Sequence, residues 1–449
     1  MAPVHENKRI LSMSIFAPPS ACRSLPASSA SSLSSGSILP ESFRATSVVE
    51  EADIVEIPAI LESKETYVSM GFTEERAAEL WQRYSRYGEE INGGFLDFAV
   101  WHVENDSPFY PDATSGSDDW DACMRDLDIN DKLRAAILLP EFEDVRYTAT
   151  CKFWLADAIT AAYETLRGLN KRLRVESQRS QHYDKIASHK HAGSASPTPA
   201  VSSRTSKKAP EDLPPSISKG AAPLSPLLHH AAAVSEPVDE AVSAESPAAL
   251  DDHTILWRAE TRMKAEAFYD VRTQRIDMAS ISTVPEGFHG MERVAYSTPQ
   301  EETADRYAQW LKHKIPASEI AIIQIAVPGT LLRSLNTQCL WYTPADDSWR
   351  KVIFNCRRSK RLSKELRYLE RQDLLNGPIA TGIHQKFLEI GSYKEISESD
   401  VLTIEVDGEC KKAVQWVFNT HDAIDGFEDQ CQGKVWIHSL GSYRVPKLS

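Results

Sequence analysis

The sequence lacks the short motifs by which many enzymes can be recognised. It contains neither of the glycine-rich loops that hold phosphate groups, G-x-x-x-x-G-K-[ST] and G-x-G-x-x-G, nor the H-E-x-x-H metal motif, nor the G-x-S-x-G nucleophile turn. Its paired histidines at 189–191 and 229–230 lie in a polar segment, where solvated side chains are expected rather than metal ligands. These absences argue against a P-loop nucleotidase, a metalloenzyme and a serine hydrolase.

The chain also has no long apolar run and no paired cysteines. No stretch approaches the roughly 18 apolar residues that cross a membrane, so the sequence predicts no membrane insertion. The seven cysteines are scattered without a C-x-x-C pair, which predicts free thiols in a reducing compartment, cytoplasmic or nuclear. The Ser- and Ala-rich stretch 7–40, which has no acidic residue, leaves a mitochondrial transit peptide as an alternative.

Aromatic residues are absent between Tyr183 and Trp257, a stretch that holds nine prolines. Such a segment cannot bury a core, and it predicts a flexible linker. The first 50 residues are similarly poor in core-forming side chains. The sequence therefore predicts four parts: a disordered tail (1–50), a helical acidic domain (51–176), a disordered linker (177–250) and a second domain (251–449).

The negative charge is concentrated in the first predicted domain. Residues 51–176 carry 13 basic and 26 acidic side chains, whereas residues 251–449 carry 26 and 28. An acidic face repels phosphate backbones, which argues against nucleic-acid binding.

The two predicted domains differ in their hydrophobic patterns. Residues 51–176 contain apolar side chains at helical spacing, as in "FTEERAAELWQRY" and "ATCKFWLADAITAAYETLRGLNKRLR". Residues 251–449 contain short apolar, β-branched runs that predict strands, with only two or three helices between them, one of them at 301–313. This combination predicts the α+β class, with a mostly helical N-terminal domain and a C-terminal domain that has few helices.

Four pieces of the C-terminal part occur in an order that resembles the ADP-ribosyltransferase fold, closest to an uncharacterised fungal and microbial subgroup. They are "LWRA" at a strand end, "GFHG" followed by "AYSTPQEETADRYAQWL", "WRKVIF" (349–354, taken as a strand) with "DLLNGPI" (373–379), and "QWVFNTHDA" (415–423). The resemblance covers 253–427. It implies a split β-sheet domain and NAD as the cofactor.

The resemblance also implies roles for particular residues. Arg258 would bind a phosphate or ribose hydroxyl of NAD, Tyr296 would stack on the nicotinamide, and Ser297 and Thr298 would lie beside it. Cleavage of the nicotinamide–ribose bond develops positive charge, which a glutamate on the late strand stabilises in the catalytic families.

The chain departs from that pattern at the late strand, which begins with the neutral Gln415. Gln415 can bond a hydroxyl group but cannot offset positive charge. The nearest acidic residues in the sequence are Glu405 and Glu409, so the catalytic candidates are Gln415, Glu405 and Glu409. An arginine on the first strand and a tyrosine on the second also belong to different subgroups of the fold.

Each candidate has an alternative interpretation without a ligand. Arg258 can be a surface salt-bridge partner, and Tyr296 a half-buried strand aromatic. Ser297 or Thr298 can be the N-cap region of the next helix. Gln415 can be a polar residue of an edge strand.

The segment 356–371 is the one basic block, and it is predicted to be a helix. It can form a solvated face, bind anions, RNA or an acidic partner, or dock on the protein's own acidic region. The sequence thus predicts an ADP-ribosyltransferase-like protein capable of NAD-dependent mono-ADP-ribosyl transfer. The alternative is an inactive relative that acts as a binding module or scaffold, with 51–176 or 356–371 as its partner surface.

Overall fold

The computed structural model describes residues 8–12, 54–87, 94–105, 119–192, 247, 249–283, 287–288 and 293–440. Helices and strands are both abundant in this part of the chain, which confirms the predicted α+β class. The chain divides into two compact units. Met1–Arg172 and Ala248–Ser449 together form the first unit, and Leu173–Pro247 forms the second. The structure therefore differs from the predicted division, since the acidic helical region and the C-terminal region belong to one unit.

The N-terminal region is helical because apolar side chains recur at helical spacing behind polar caps. Thr73 accepts a hydrogen bond from the Arg76 N–H, and Asn130 caps its helix by accepting one from Leu133. The helices are α1 (Lys64–Ser69), α2 (Glu74–Tyr87), α3 (Phe95–Asn105), α4 (Trp120–Asp126), α5 (Asp131–Ile137), α6 (Glu143–Arg146) and α7 (Cys151–Ala192).

Two elements cross the predicted disordered boundaries. Helix α7 runs through residue 176 to Ala192, since residues 177–192 contain neither proline nor glycine to end it. Strand β1 (Lys8–Ser12), inside the predicted tail, pairs with β2 (Ile54–Pro58) in an antiparallel ladder. The rest of the predicted tail and most of the predicted linker lie outside the described residues.

The C-terminal region is built on two small sheets. One is antiparallel with the order β13-β7-β3, and the other is mixed with the order β6-β12-β9-β8. The strands are β3 (His253–Thr261), β4 (Tyr269–Asp270), β5 (Arg275–Ile276), β6 (Tyr296–Ser297), β7 (Ile320–Pro328), β8 (Thr337–Cys339), β9 (Leu374–Pro378), β10 (Thr403–Val406), β11 (Glu409–Lys412), β12 (Val414–Phe418) and β13 (Val435–Ser439).

The two sheets meet where β3 passes β6. The Trp257 N–H donates to the Thr298 carbonyl at 2.7 Å, and the Thr298 N–H donates to the Trp257 carbonyl at 2.9 Å. This bridge joins the β6 edge of the four-stranded sheet to β3, the edge strand of the three-stranded sheet, and both bridge residues line a cleft.

Six helices occur among the described residues of the C-terminal region, more than the two or three predicted: α8 (Arg262–Phe268), α9 (Glu301–Lys314), α10 (Gly329–Ser334), α11 (Ser348–Cys356), α12 (His384–Glu389) and α13 (His421–Gln430). The strand predicted at 349–354 is wrong, because this segment is part of α11. Its buried side chains Trp349, Val352, Ile353 and Cys356 are spaced for one face of a helix.

The helix predicted at 356–371 is also wrong. Ser359, with φ of +50°, adopts the left-handed conformation and prevents α11 from continuing. The rest of the segment is turns and a short 3-10 helix at Arg367–Arg371, which bring Leu362, Leu366 and Leu369 into the core. Of the basic side chains, only Arg357 is buried; it donates to the carbonyls of Tyr147 and Ala380.

The N-terminal and C-terminal regions share a hydrophobic core through α9. Trp310 is fully buried among the side chains of the N-terminal helices, with its ring centroid 5.6 Å from that of Phe142 and 5.8 Å from that of Trp154. On the other face of α9, Ala304 and Ala308 pack against strand β3. Helix α9 therefore contributes side chains to the cores of both regions.

The structure also bears on the cysteines and on membrane-spanning segments. The six cysteines within the described residues are free thiols. No helix in that part of the chain is both long enough and apolar enough to cross a membrane.

We expect Trp310→Ala to lower the free energy of unfolding by about 3–5 kcal/mol, because it leaves a large cavity in the shared core. Urea denaturation followed by circular dichroism and by tryptophan fluorescence measures this loss. Trp341→Ala is the control, since Trp341 is 43% exposed. Separate transitions for the two regions would contradict a shared core.

Candidate functional site

Arg258 lies in the middle of β3 and is buried rather than on the surface. Its guanidinium donates twice to Glu260 Oε1, at 2.8 Å from Nε and 2.6 Å from Nη2, and once each to the carbonyls of Tyr296 and Ile281. These contacts use four of the five N–H groups of the guanidinium. Arg258 and Glu260 meet because alternate residues of a strand share one face.

The Tyr296-Ser297-Thr298 stretch lies where the two sheets join. Strand β6 pairs with β12 through Tyr296 and Ser297, and Thr298 forms the bridge to β3. Neither Ser297 nor Thr298 caps α9, whose N-cap is Gln300. The Gln300 side chain instead accepts from the Val414 N–H at 2.7 Å and donates to the Lys412 carbonyl at 2.9 Å, which fastens the start of α9 to β12.

Gln415 lies on β12 between β6 and β9, so it is in a central strand and not at an edge. The residue is 6% exposed, and its Nε2 has no hydrogen-bond partner within the described part of the chain. Gly287 lies against this amide: a Cβ atom there would be 3.1 Å from Gln415 Nε2 and 3.3 Å from Tyr296 Cε1. Gly287 also has φ of +66°, so a side chain at this position is disfavoured both by these close contacts and by the left-handed backbone conformation.

These predicted residues line one cleft between the two sheets, with a volume of about 180 Å³. The structure therefore brings together five of the predicted candidates and Gly287 of the predicted glycine-containing loop; the five are Arg258, Tyr296, Ser297, Thr298 and Gln415. The strand order and the bridge at Thr298 position all of them.

The other two candidates lie elsewhere. Glu405 is on β10, in a separate groove that it shares with Glu301 and Glu302 of α9. Glu409 is exposed on β11 and forms an ion pair with Lys411 at 3.5 Å. Neither carboxylate lines the cleft that contains Gln415.

Two carboxylates that sequence reasoning missed do line the cleft, Glu260 and Asp157. Glu260 could have been predicted, because it is two residues after Arg258 on the same strand and so lies on the same face of the sheet. Asp157 comes from α7, and its signal was weaker: a carboxylate between the apolar Trp154 and Ala161 on one helix face suggests a buried partner.

Asp157 is held by lysines of the C-terminal region. Its Oδ2 is 2.6 Å from Lys314 Nζ, and its Oδ1 is 3.8 Å from Lys264 Nζ. Burial opposes ionisation of this carboxyl, but the charges of the two lysines outweigh burial and lower the pKa of Asp157. The Lys314 ammonium also lies 4.0 Å from the centroid of the Trp154 ring. Asp157 is thus an ionised, fully engaged side chain.

The N-terminal region forms one wall of the cleft. Thr148, Ala149, Phe153 and Trp154 line it together with Asp157. The Tyr307 hydroxyl, on the facing side of α9, lies 3.2 Å from Thr148 Oγ1. This wall was not predicted, since the sequence placed the two regions in separate domains.

Comparison of the chain with protein-family models, with curated proteins and with solved structures gives no match. Within the described residues, no group of three or more His, Cys, Asp or Glu side chains could hold a metal ion.

We expect Asp157→Asn to lower the free energy of unfolding by about 3–5 kcal/mol at pH 7, because Lys314 is left buried without its partner. The pKa of Asp157 is lowered on folding, so its stabilisation is present above about pH 4 and is lost as the pH falls through the folded-state value. In urea titrations at pH 3, the difference in the free energy of unfolding between Asp157→Asn and the wild type should therefore be smaller than at pH 7.

Asp252→Asn is the matched control for that measurement. Asp252 forms an ion pair with Arg333 at 2.7 Å, but its side chain is 56% exposed, so its loss should leave the stability nearly unchanged. Equal losses for the two variants would contradict a structural role for Asp157 as the partner of the buried Lys314.

We expect Gln415→Leu to leave the free energy of unfolding unchanged or to raise it by about 1 kcal/mol, because it removes a buried donor without a partner. Gln324→Leu is the matched control. Gln324 is also buried, but its Oε1 is bonded to His438 Nε2 at 3.0 Å, so its loss should cost about 1–3 kcal/mol. Guanidinium denaturation compares the two, and an equal destabilisation would refute the assignment for Gln415.

Proposed function

We propose that this chain is an ADP-ribosyltransferase-like protein that acts as a catalytically inactive binding module. The order of the motifs along 253–427 supports the resemblance to that fold. Further support comes from two small sheets that meet at Trp257 and Thr298, an arrangement compatible with a split β-sheet. Against a full match stands the segment 349–354, which is helical instead of extended.

The observation that carries the inactive interpretation is that, among the residues the structure describes, each carboxylate lining the cleft is already in an ion pair. Gln415 occupies the position where the catalytic families have glutamate, and an amide cannot offset the positive charge of the transition state. Of the two carboxylates that line the cleft, Glu260 is engaged by Arg258, and Asp157 is engaged by Lys314. Withdrawing either from its buried partner is costly.

The size of the cleft supports the same conclusion. Its volume of about 180 Å³ is below the roughly 300–1,000 Å³ of sites that enclose drug-sized ligands, and NAD is larger than most of those ligands. Arg258, with four N–H groups engaged, is not poised to bind a phosphate group.

The second candidate function is NAD-dependent mono-ADP-ribosyl transfer. The convergence of Arg258, Tyr296, Ser297 and Thr298 in one cleft favours it, because these are the residues that the resemblance assigns to NAD.

As a scaffold, the chain would offer partners two surfaces: the acidic region 51–176, and the segment 356–371, whose exposed basic side chains are Lys360, Arg361, Lys364, Arg367 and Arg371.

Incubation of the full-length chain with millimolar NAD tests the proposal, and we expect no nicotinamide release and no calorimetric binding signal. The full chain is required because Trp310 belongs to the core of the N-terminal helices. Release that disappears in Arg258→Lys would establish the transferase instead. Gln415→Glu tests whether a carboxylate restores cleavage, with Gln430→Glu, at an exposed position, as its control.

A further inference from the structure

A second, larger groove lies between helix α9 and the hairpin formed by β10 and β11. Its volume is about 720 Å³, within the roughly 300–1,000 Å³ of pockets that hold ligands. One side of α9 and residues 403–405 of β10 line it, whereas no described residue of β11 does. The groove and the cleft share no lining residue. The groove is therefore a separate surface, bounded by a helix and by one strand of a hairpin.

The backbone of β10 presents an open edge. Strands β10 and β11 form a two-stranded sheet, so the outer edge of β10 has no partner strand among the described residues. The Ala413 N–H of the neighbouring segment donates to the Leu402 carbonyl at 2.8 Å. Hydrogen-bonded positions alternate along an antiparallel strand, so Thr403 and Glu405 direct their N–H and C=O groups away from β11. Both residues line the groove.

An open edge of this kind is a template for another strand. A peptide in extended conformation, laid along β10, would form backbone hydrogen bonds with Thr403 and Glu405 in the manner of other complexes in which a strand is added to a sheet. Strand β10 is four residues long. At about 3.3 Å per residue, a peptide segment of about four to six residues matches it.

The side chains that line the groove favour a positively charged occupant. Within the described residues its one guanidinium, that of Arg306, is paired with Asp144 at 2.9 Å. The other charged side chains of the lining are the carboxylates of Glu301, Glu302, Asp305 and Glu405. The dipole of α9 offsets part of the charge in its first turn, where Glu301 and Glu302 lie, but not that of Asp305 or Glu405. A segment with lysine or arginine side chains is therefore attracted, and an acidic one is repelled.

We propose that this groove binds an extended, basic segment of another protein, which adds to β10 as a strand and places lysine or arginine side chains beside Asp305 and Glu405. The backbone hydrogen bonds hold the segment without regard to its sequence, and the carboxylates select for positive charge. The inference goes beyond the proposed function, because the groove lies apart from the cleft and its occupancy does not depend on whether the cleft cleaves NAD.

Blocked hexapeptides test the proposal in calorimetric titrations of the full-length chain. In the first, lysine alternates with valine; in the second, glutamate replaces lysine. Two further versions of the lysine peptide carry backbone N-methyl groups, one on every lysine and one on every valine, so that each loses the donors of one strand edge. We expect the lysine peptide to bind, the glutamate peptide to give no signal, and one methylated version to bind at least about tenfold more weakly.

Two results would overturn the proposal. If the lysine peptide does not bind, the groove is not a site for basic segments. If it binds with the same affinity as both methylated versions, charge alone attracts it and no strand is added to β10.

Glu405→Lys and Glu409→Lys are a matched pair of variants, because both positions are exposed on the same hairpin but only Glu405 lines the groove. We expect Glu405→Lys to weaken binding of the lysine peptide about tenfold, since an attraction becomes a repulsion, and Glu409→Lys to change it less than about twofold. In the complex, the amide protons of Thr403 and Glu405 should exchange more slowly with solvent. Equal effects of the two variants, or protection confined to other segments, would refute docking at β10.

The chain's own residues 441–449 are the alternative occupant, because they follow Leu440, which lines the groove, and include Arg444 and Lys447. Substitution of both, Arg444→Glu with Lys447→Glu, separates the two cases in the full-length chain. Unchanged affinity for the lysine peptide supports binding of another protein. A gain of about tenfold or more would identify 441–449 as a competing occupant and overturn the assignment.

The two proposals fail separately. Nicotinamide release from NAD would overturn the inactive assignment of the cleft and leave peptide binding unaffected. Indifference of the chain to the lysine peptide, with NAD left intact, would remove only the basic partner.

Discussion

The structure depends on the burial of Trp310 and Lys314, three to four turns into α9, against the N-terminal helices. Trp310 has no exposed surface, and the Lys314 ammonium is paired with Asp157. Loss of this contact would expose the tryptophan and leave the ammonium without its partner, which is costly. The same helix packs Ala304 and Ala308 against β3, which carries Arg258. The geometry of the cleft is therefore set by the contact between the two regions as much as by the sheets.

The sequence predicted much of the cleft because its residues lie in short motifs along contiguous strands. Arg258, Tyr296 and Gln415 are found together in it. What the sequence did not predict is Asp157, whose partner Lys314 lies 157 residues away. Pairing over such a separation leaves no local pattern, and the acidic composition of 51–176 made Asp157, which faces the cleft, hard to distinguish from solvated carboxylates.

Two wrong predictions show how local preference yields to packing. The β-branched Val352 and Ile353 favour a strand, yet the chain forms α11 because a helix brings both side chains, with Trp349, into one core. In the basic block, the residues at 362, 366 and 369 have helical spacing, but the left-handed Ser359 and the buried Arg357 direct the chain into turns. In both segments the buried side chains recur at helical spacing, but only the first segment forms a helix.

The path of the chain through the compact unit has a consequence for its architecture. The chain leaves the unit after Arg172 and returns to it at Ala248. The two pieces that build this unit are joined covalently through Leu173–Pro247, so they meet at a fixed effective concentration. A cut within the joining segment would turn an intramolecular contact into a bimolecular one governed by protein concentration.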